Sequence, residues 1–492
     1  MHLISIIFPI LAFLFEAYPR FLNRKFGVDV WTHLLYLQEY HKQGGVPKKI
    51  ENGFLVPGIY DYPPAFIYIL AKFPFRLVER YEFLFSPFFD AIHLLIIYFL
   101  VFQITGDIRI ALVTQALYTL TPIIVIENSS ATPRSLGYTL FTLVFMLMFA
   151  FLRLGNIWFL IAAIIFGSLI FLSHRFTTQG FLFFSLFFSV YDLNPYYLLV
   201  FLISFAIAVI FSRGLYLRVL RGHIGNLKFW YYNIRYRFYH QVRGNAKGHK
   251  NKDFVFTVYN QFLKLPPFVL SITNPWTIPL FYYVTFYYPA DSLYQHLIWW
   301  SLFAYALALL TIWVPQLRFL GEGQRYLELS AFPVSFLAAT LLITLLQTEY
   351  AVQAVVIYIL FAFGVIVTIT VIQRKAIIKE TLRTLTPEMQ QMFDYLKSLK
   401  KKPRLLCLPH QITTNTIYHT GCPVFVNADY TNIGKISEVY PYIRKPLKEI
   451  MRKNKLNMIL LNQDYATIDE LEIRKDARII KIISPFVLIE FK

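Results

Sequence analysis

Charge is scarce in this sequence. Asp, Glu, Lys and Arg make up 15% of its 492 residues, against about 25% in ordinary soluble domains, which excludes a single water-exposed globule. Cysteine is nearly absent as well. Cys407 and Cys422 alone exclude a cysteine-rich metal site or a disulfide framework, and leave open one bridge between the two. Acidic residues are outnumbered by Lys and Arg, 28 to 47, for a net charge of +19. The exposed parts are therefore expected to attract anionic lipid headgroups or phosphorylated substrates, and nucleic acid is not expected as a partner. What is abundant is apolar: 57% hydrophobic residues, 49 Phe and 34 Tyr, with a mean hydropathy of +0.51. Lipid is the solvent such a composition suits, with aromatic rings packing in a bilayer and at its interfaces.

Runs long enough to cross a hydrocarbon core of about 30 Å begin near Leu3, Ser86, Arg109, Leu136, Asn156, Thr177, Asn194, Pro266, Tyr294, Glu328 and Tyr350. The expected fold is mainly α: a polytopic transmembrane helical bundle of about eleven spans. The first run has no basic leader or small-residue cleavage site before Glu16 and reads as a retained span. Pro64–Arg80 carries Lys72, Arg76 and Arg80 four residues apart, a charged stripe that suits a helix lying in the interface.

Counting alternate sides collects the long loop 19–85, the turns 127–135 and 173–178, the basic loop 213–265, the loop 316–327 and the C-terminal region on one face. The other face receives only short turns, such as Gly106-Asp107, Arg153–Asn156, Asp192–Pro195 and Pro289–Leu293, most of them too small to build a site. The domain reading is a membrane domain over 1–373, a basic connector over 374–402 with a helix starting at Pro387, and a small soluble α/β domain over 403–492. In that last domain, Arg404–Pro409, Pro423–Val426, Met458–Leu461 and Ile479–Ile483 read as strands and Pro441–Lys453 as a helix.

The loop after the first span opens Phe26-Gly27-Val28-Asp29-Val30-Trp31-Thr32-His33, continues Gly44-Gly45-Val46-Pro47, and reaches Gly58-Ile59-Tyr60-Asp61-Tyr62-Pro63-Pro64. A glycine and an aspartate just past the first span, a histidine four residues on, a glycine-rich turn ending in proline and a Tyr-Asp-Tyr-Pro-Pro step together resemble the GT-C superfamily of membrane glycosyltransferases. The resemblance implies a polyprenyl-phosphate-linked sugar donor and a catalytic acid in the first extracytoplasmic loop, flanked by two interfacial helices. Asp29 matches the acid, and Val30–Tyr40 and Pro64–Arg80 match the helices. The C-terminal region has no Trp-Trp-Asp, so transfer of a glycan to asparagine is not supported. Asp29 has no acidic neighbour, so the protein O-mannosyltransferase pattern is not met, and the branch is unassigned.

Sugar transfer from a lipid phosphate needs a base for the acceptor hydroxyl and positive charge for the leaving phosphate. Asp29 is the candidate base. His33, Tyr60, Asp61, Arg134, His174, Arg175, Gln179, Glu322, Arg325 and Tyr326 are the candidate substrate-binding residues, most of them at span ends, where charge is cheapest to hold near a membrane. Asp29, Glu127 and His174 could hold a divalent Mn or Mg ion. Simpler roles stand beside these: Asp29 as a helix N-cap, His33 as a packing residue, and the arginines as snorkelling anchors. The basic aromatic loop, with Arg218, Arg221, Lys228, Arg235, Arg237, Arg243, Lys247 and Lys250 among Trp230, Tyr231, Tyr232, Tyr236 and Tyr239, is either an interfacial helix or a cover over a lipid phosphate. In the C-terminal domain His410, Thr413, Thr414, Asn415, His419 and Asp429 form a polar cluster, read as acceptor binding or support.

The protein is expected in the cell membrane as a multi-pass chain. The positive-inside rule places the basic face in the cytoplasm, whereas the resemblance places it outside; long loops translocate largely regardless of charge, which favours the second. The alternatives are a transporter or flippase of lipid-linked glycans, which would line span interiors with polar residues, a non-catalytic scaffold, in which Asp29 would be free to vary, and an oligosaccharide polymerase or ligase, which would carry a dominant late loop.

Overall fold

The computed structural model describes residues 2–27, 29–50, 53–236, 242, 264–381, 383–426, 432–473 and 477–491. It divides into two compact units that interleave along the chain. One holds Met1–Arg24, Tyr81–Tyr216 and Asn260–Lys379; the other holds Lys25–Arg80, Leu217–Tyr259 and Glu380–Lys492. The first long loop and part of the basic loop thus belong with the C-terminal residues. The cause is local: residues Phe54–Val56 of the first loop pair with a C-terminal strand, and Phe229 and Val242 of the basic loop enter the C-terminal apolar core.

Six helices among the described residues are long and apolar enough to cross a membrane: Leu3–Leu22, Phe75–Thr105, Arg134–Leu154, Ser292–Trp313, Gly323–Leu345 and Ala351–Ile378. Two bent pairs raise the number to eight, which is short of the expected eleven. The run at Arg109 breaks into Ile108–Thr119 and Pro122–Asn128, bent by 58°, with Pro122 at the first turn of the second piece, where its missing N–H costs nothing. The run at Pro266 likewise divides into Pro266–Thr273 and Thr277–Phe286, and those at Asn156 and Thr177 form 17-residue helices, Ile157–Ser173 and Arg175–Tyr191.

The short turns explain where the helices stop and start. Gly155, at φ +67°, ends Arg134–Leu154 in the left-handed conformation that glycine adopts without strain, and Asn156 accepts from the Trp158 N–H at 3.0 Å to start the next helix. Asp107 and Asp291 cap their helices in the same way. The interior is aromatic. Phe141, Phe145, Phe149, Phe184 and Phe332 surround Trp300, whose indole N–H donates to the Leu329 carbonyl at 2.9 Å, so its one polar group is satisfied in the core.

The second unit is α/β. Its strands are β1 (Lys49–Ile50), β2 (Phe54–Val56), β3 (Gly58–Ile59), β4 (Leu405–Leu408), β5 (Val424–Val426), β6 (Met458–Asn462), β7 (Ala477–Ile483) and β8 (Phe486–Phe491). β1 and β3 form a small antiparallel pair, and the main sheet runs β2-β5-β4-β6-β8-β7, parallel from β2 to β6 and antiparallel beyond. β4 is buried along its whole length, as a parallel strand covered on both faces must be. Leu406, Leu408, Ile459 and Leu461 pack with Ile436, Leu447 and Ile450 on one side. Helices Pro387–Ser398 and Asp29–Gln43 pack on Thr413–Thr420. The stretch 64–80 forms two short helices, Ala65–Leu70 and Phe75–Tyr81, because Pro74 cannot continue the first one.

Candidate functional site

In the membrane unit, most of the expected site residues converge on one end of the spans, around the 3-10 segment Gly323–Ser330. That segment packs against helices Pro122–Asn128, Arg134–Leu154, Arg175–Tyr191 and Ser292–Trp313. Arg134, the first residue of its helix, forms an ion pair with Glu127 across the turn 129–133 and lies 3.6 Å from Glu328. Arg325 pairs with Glu322 at 2.7 Å. Gln179 donates to the Tyr326 hydroxyl at 2.7 Å and to the Leu320 carbonyl at 2.8 Å, tying helix Arg175–Tyr191 to this segment, while the Phe176 ring lies 4.7 Å from Tyr326. His174 Nδ1 meets the Thr177 hydroxyl at 2.9 Å. Gly137 permits this closeness: a Cβ there would fall 2.5 Å from Thr177 Oγ1. Arg175 is half-buried beside Tyr216.

Exposure separates the arginines. The Arg134 side chain is 9% exposed and Glu328 2%, whereas Arg325 and Glu322 are 26% and 21% exposed. Arg134 and Glu328 are thus a buried charge pair, while Arg325 is within reach of a ligand.

The turn carrying Glu127 and Arg134 is held by residues that sequence reasoning did not single out. The buried Ser86 hydroxyl lies 2.8 Å from the carbonyls of Ser130 and Thr132 and accepts from the Thr132 N–H. Arg20, fully buried, pairs with Glu82 and reaches the Ser129 carbonyl. Asn128 donates to Glu16 at 3.2 Å and accepts from Tyr138. Beyond it, Tyr118 donates to Asp90 at 2.9 Å and contacts His93, which meets Thr142 at 3.1 Å. Ionisable residues inside apolar helices were the available signal: Glu16 and Arg20, four apart in the first span, stand out once looked for.

The second unit holds Asp29, His33, Tyr60 and Asp61. Asp29 is exposed and is the first residue of helix Asp29–Gln43, where a carboxylate meets the positive end of the helix. His33, one turn on, is buried between Tyr62 and Phe66 at 5.3 Å from each ring. Burial pushes its pKa down to about 4, against an opposing pull from Asp29. Tyr60 is fully buried against Tyr36, and Asp61 is buried against Gly222. Of the four, only Asp29 is exposed. In the C-terminal part His410, Thr413, Thr414 and Asn415 are buried together, and His419 packs on Trp31 and Phe393. Burial lowers the pKa of both His410 and His419 to about 4. Asp429, Arg237, Tyr239, Arg243, Lys247 and Lys250 lie outside the described residues.

Among the described residues no three His, Cys, Asp or Glu side chains form a group that could hold a metal ion. Two members of the expected triad have other partners: Glu127 pairs with Arg134 and His174 with Thr177. Asp29, Glu127 and His174 therefore do not fit as a ligand set.

No family model matches the sequence, and no curated protein matches it. Solved structures do. The oligosaccharyltransferase of Archaeoglobus fulgidus in complex with Zn and sulfate aligns over 92% of this chain and 67% of its own, at TM-score 0.59 and 12% identity. The archaeal oligosaccharyltransferase AglB from the same organism, in complex with an inhibitory peptide and a dolichol-phosphate, aligns over 98% and 74%, at TM-score 0.55 and 13% identity. ArnT from Cupriavidus metallidurans, bound to undecaprenyl phosphate, aligns over 100% and 98%, at TM-score 0.55 and 11% identity. The chain has the GT-C fold. At this identity the likeness is one of fold, and roles within the GT-C fold rest on the residues described above. The ArnT match runs over almost the whole of both chains, so the GT-C likeness takes in both units and not the spans alone.

Proposed function

We propose that the chain is a membrane glycosyltransferase that moves a sugar from a polyprenyl-phosphate donor to an acceptor hydroxyl. The observation that carries this reading is the set of arginines gathered at one end of the spans of a GT-C fold, with Arg325 part exposed and Arg134 buried behind it. Dolichol-phosphate and undecaprenyl phosphate are bound by the solved relatives, which supports a lipid phosphate as the ligand.

Arg325 is the residue assigned to the donor phosphate. A planar guanidinium forms two parallel hydrogen bonds to phosphate oxygens, and Glu322 holds it in place until the phosphate takes over. Arg134 and Glu328 fix the segment that presents Arg325. As the glycosidic oxygen leaves with the lipid phosphate, its growing charge is met by Arg325 in a site partly screened from water. Asp29 is assigned as the base that takes the acceptor proton as the oxygen attacks the anomeric carbon; being exposed, it has room for an acceptor. The arginine end is assigned to the extracytoplasmic side. Arginine supplies the positive charge in this scheme, because Glu127 and His174 are engaged elsewhere.

The test uses the purified full chain in detergent with undecaprenyl phosphate and dolichyl phosphate as probes, and their sugar-linked forms for turnover. Arg325→Ala is expected to weaken lipid-phosphate binding at least tenfold. Asp29→Asn is expected to bind the lipid phosphate as the parent does, while sugar release or transfer falls by about 10²–10⁴. If the parent binds neither lipid phosphate, the reading fails; if Asp29→Asn turns over normally, the base is another group.

A further inference from the structure

Helices Arg134–Leu154 and Arg175–Tyr191 run from the arginine end to the opposite end of the membrane unit, and Ser292–Trp313 returns. At that opposite end they form a half-open pocket of about 270 Å³ lined by Phe149, Arg153, Asp192, Asn194, Ser292 and His296, with leucine side chains completing the wall. The turns on this face are expected from sequence to be too short for a site. The pocket forms because the last turns of the helices, more than the turns between them, supply its walls.

Its charges are unevenly committed. His296 Nε2 lies 2.9 and 3.0 Å from the two Asp192 oxygens, its Nδ1 faces the Ser292 carbonyl at 2.6 Å, and the Tyr197 hydroxyl donates to Asp192 at 2.7 Å. Asp192 is therefore satisfied within the wall. Arg153 pairs with Asp291 at 3.4 Å, and with side chains 55% and 41% exposed that pair is open to solvent and to exchange for another anion. The Asn194 side-chain oxygen accepts from the Tyr196 N–H, which leaves the amide NH2 as a donor. Phe149 lies beside His296, ring centres 4.8 Å apart and planes tilted by 49°.

The size and surroundings select the ligand. Pockets for whole drug-sized molecules span roughly 300–1,000 Å³, so this volume suits a headgroup and not an entire amphiphile. Around it Leu154, Ile157, Trp158, Val190 and Leu193 are exposed, an apolar rim of the kind that meets acyl chains, with a tryptophan at the interface. A donor-bearing pocket with an exposed arginine and an apolar rim complements a phosphate that carries hydrocarbon. We propose that this pocket binds the phosphate headgroup of an anionic glycerophospholipid, on the membrane surface opposite the arginine end, with Arg153 on the phosphate and Asn194 and Ser292 donating beside it.

The full chain in detergent, titrated with short-chain phosphatidylglycerol and followed by native mass spectrometry and thermal unfolding, tests this. Saturable binding is expected for phosphatidylglycerol, at least tenfold weaker binding for the phosphatidylcholine analogue, and a similar loss in Arg153→Ala. Ser292→Trp, which fills the pocket while keeping Arg153, is expected to lose binding too. Equal binding of the two lipids overturns the proposal, as does unchanged binding in both variants. If inorganic phosphate at the same concentration reproduces the shift, the ligand is free phosphate and the lipid assignment fails.

Discussion

The two ends of the membrane unit use the same chemistry in opposite surroundings. At one end Arg134 pairs with Glu127 and Glu328, and Arg20 with Glu82, among side chains that are mostly buried. At the other, Arg109 pairs with Asp107 and Arg153 with Asp291, with both arginines mostly exposed. An exposed ion pair is screened by water and contributes little. A buried one is costly to form, and still more costly to break from one side, because the surviving charge has no solvent to return to. The comparison teaches that the number of ion pairs says nothing about which end is fixed; burial does. It also separates the two arginines at that end, where Arg325 is reachable and Arg134 is not.

The strongest way to break this comparison is Arg134→Ala, which leaves Glu328 buried without its cation. A loss of about 3–5 kcal/mol is expected, read as a large drop in thermal unfolding temperature in detergent; Glu328→Gln in the same background should recover part of it. A loss below 1 kcal/mol would mean that water reaches the pair. A second test carries the rule to the α/β unit. Burial holds the His410 pKa near 4, below its ordinary 6.5. The folded state then binds fewer protons than the unfolded one between those values, so stability is full above about pH 6.5 and falls as pH drops toward 4, by on the order of 3 kcal/mol. His410→Gln should flatten that window in a pH series of urea or thermal unfolding followed in this unit, and a slope that survives the substitution would move the effect to His33 or His419. The smallest effect is expected at the exposed end. Asp291→Asn should shift unfolding by no more than about 1 kcal/mol, and a larger shift would show that exposure understates how that pair is held.

Much of this was legible in the sequence. The apolar runs gave the membrane-crossing character, and Asp29, Arg134, Gln179, Glu322, Arg325 and Tyr326 were visible because charge and amide groups at span ends are rare enough to notice. Ser86, Glu82, Asp90 and Glu328 were not. Each sits one to two turns inside or beside an apolar helix, where a single polar residue reads as noise until a partner appears. Glu328 gains meaning from Arg134, nearly two hundred positions away. Hydropathy records apolar length and is blind to a bend: Leu120-Thr121-Pro122 and Asn274-Pro275-Trp276 interrupt runs that composition alone joins. Four of the strands in the C-terminal part could be read from their apolar residues, whereas Phe486–Phe491 was missed.

The sequence by itself determined the solvent of the chain, the helical character of its spans, the caps that start them and the side chains available for chemistry, since each follows from composition or from neighbours within a turn or two. Only the tertiary structure decided which of those side chains met. β2 joined β5 across some 370 positions, the first loop and the C-terminal residues became one unit, His33 and Tyr60 went into aromatic packing while Asp29 stayed exposed, and helix ends far apart in the chain closed the pocket at Arg153. The reason is physical. Local preference is set by short-range sterics and hydrogen bonds, but whether a charge is paired or desolvated depends on what packs against it, and those neighbours are distant in sequence.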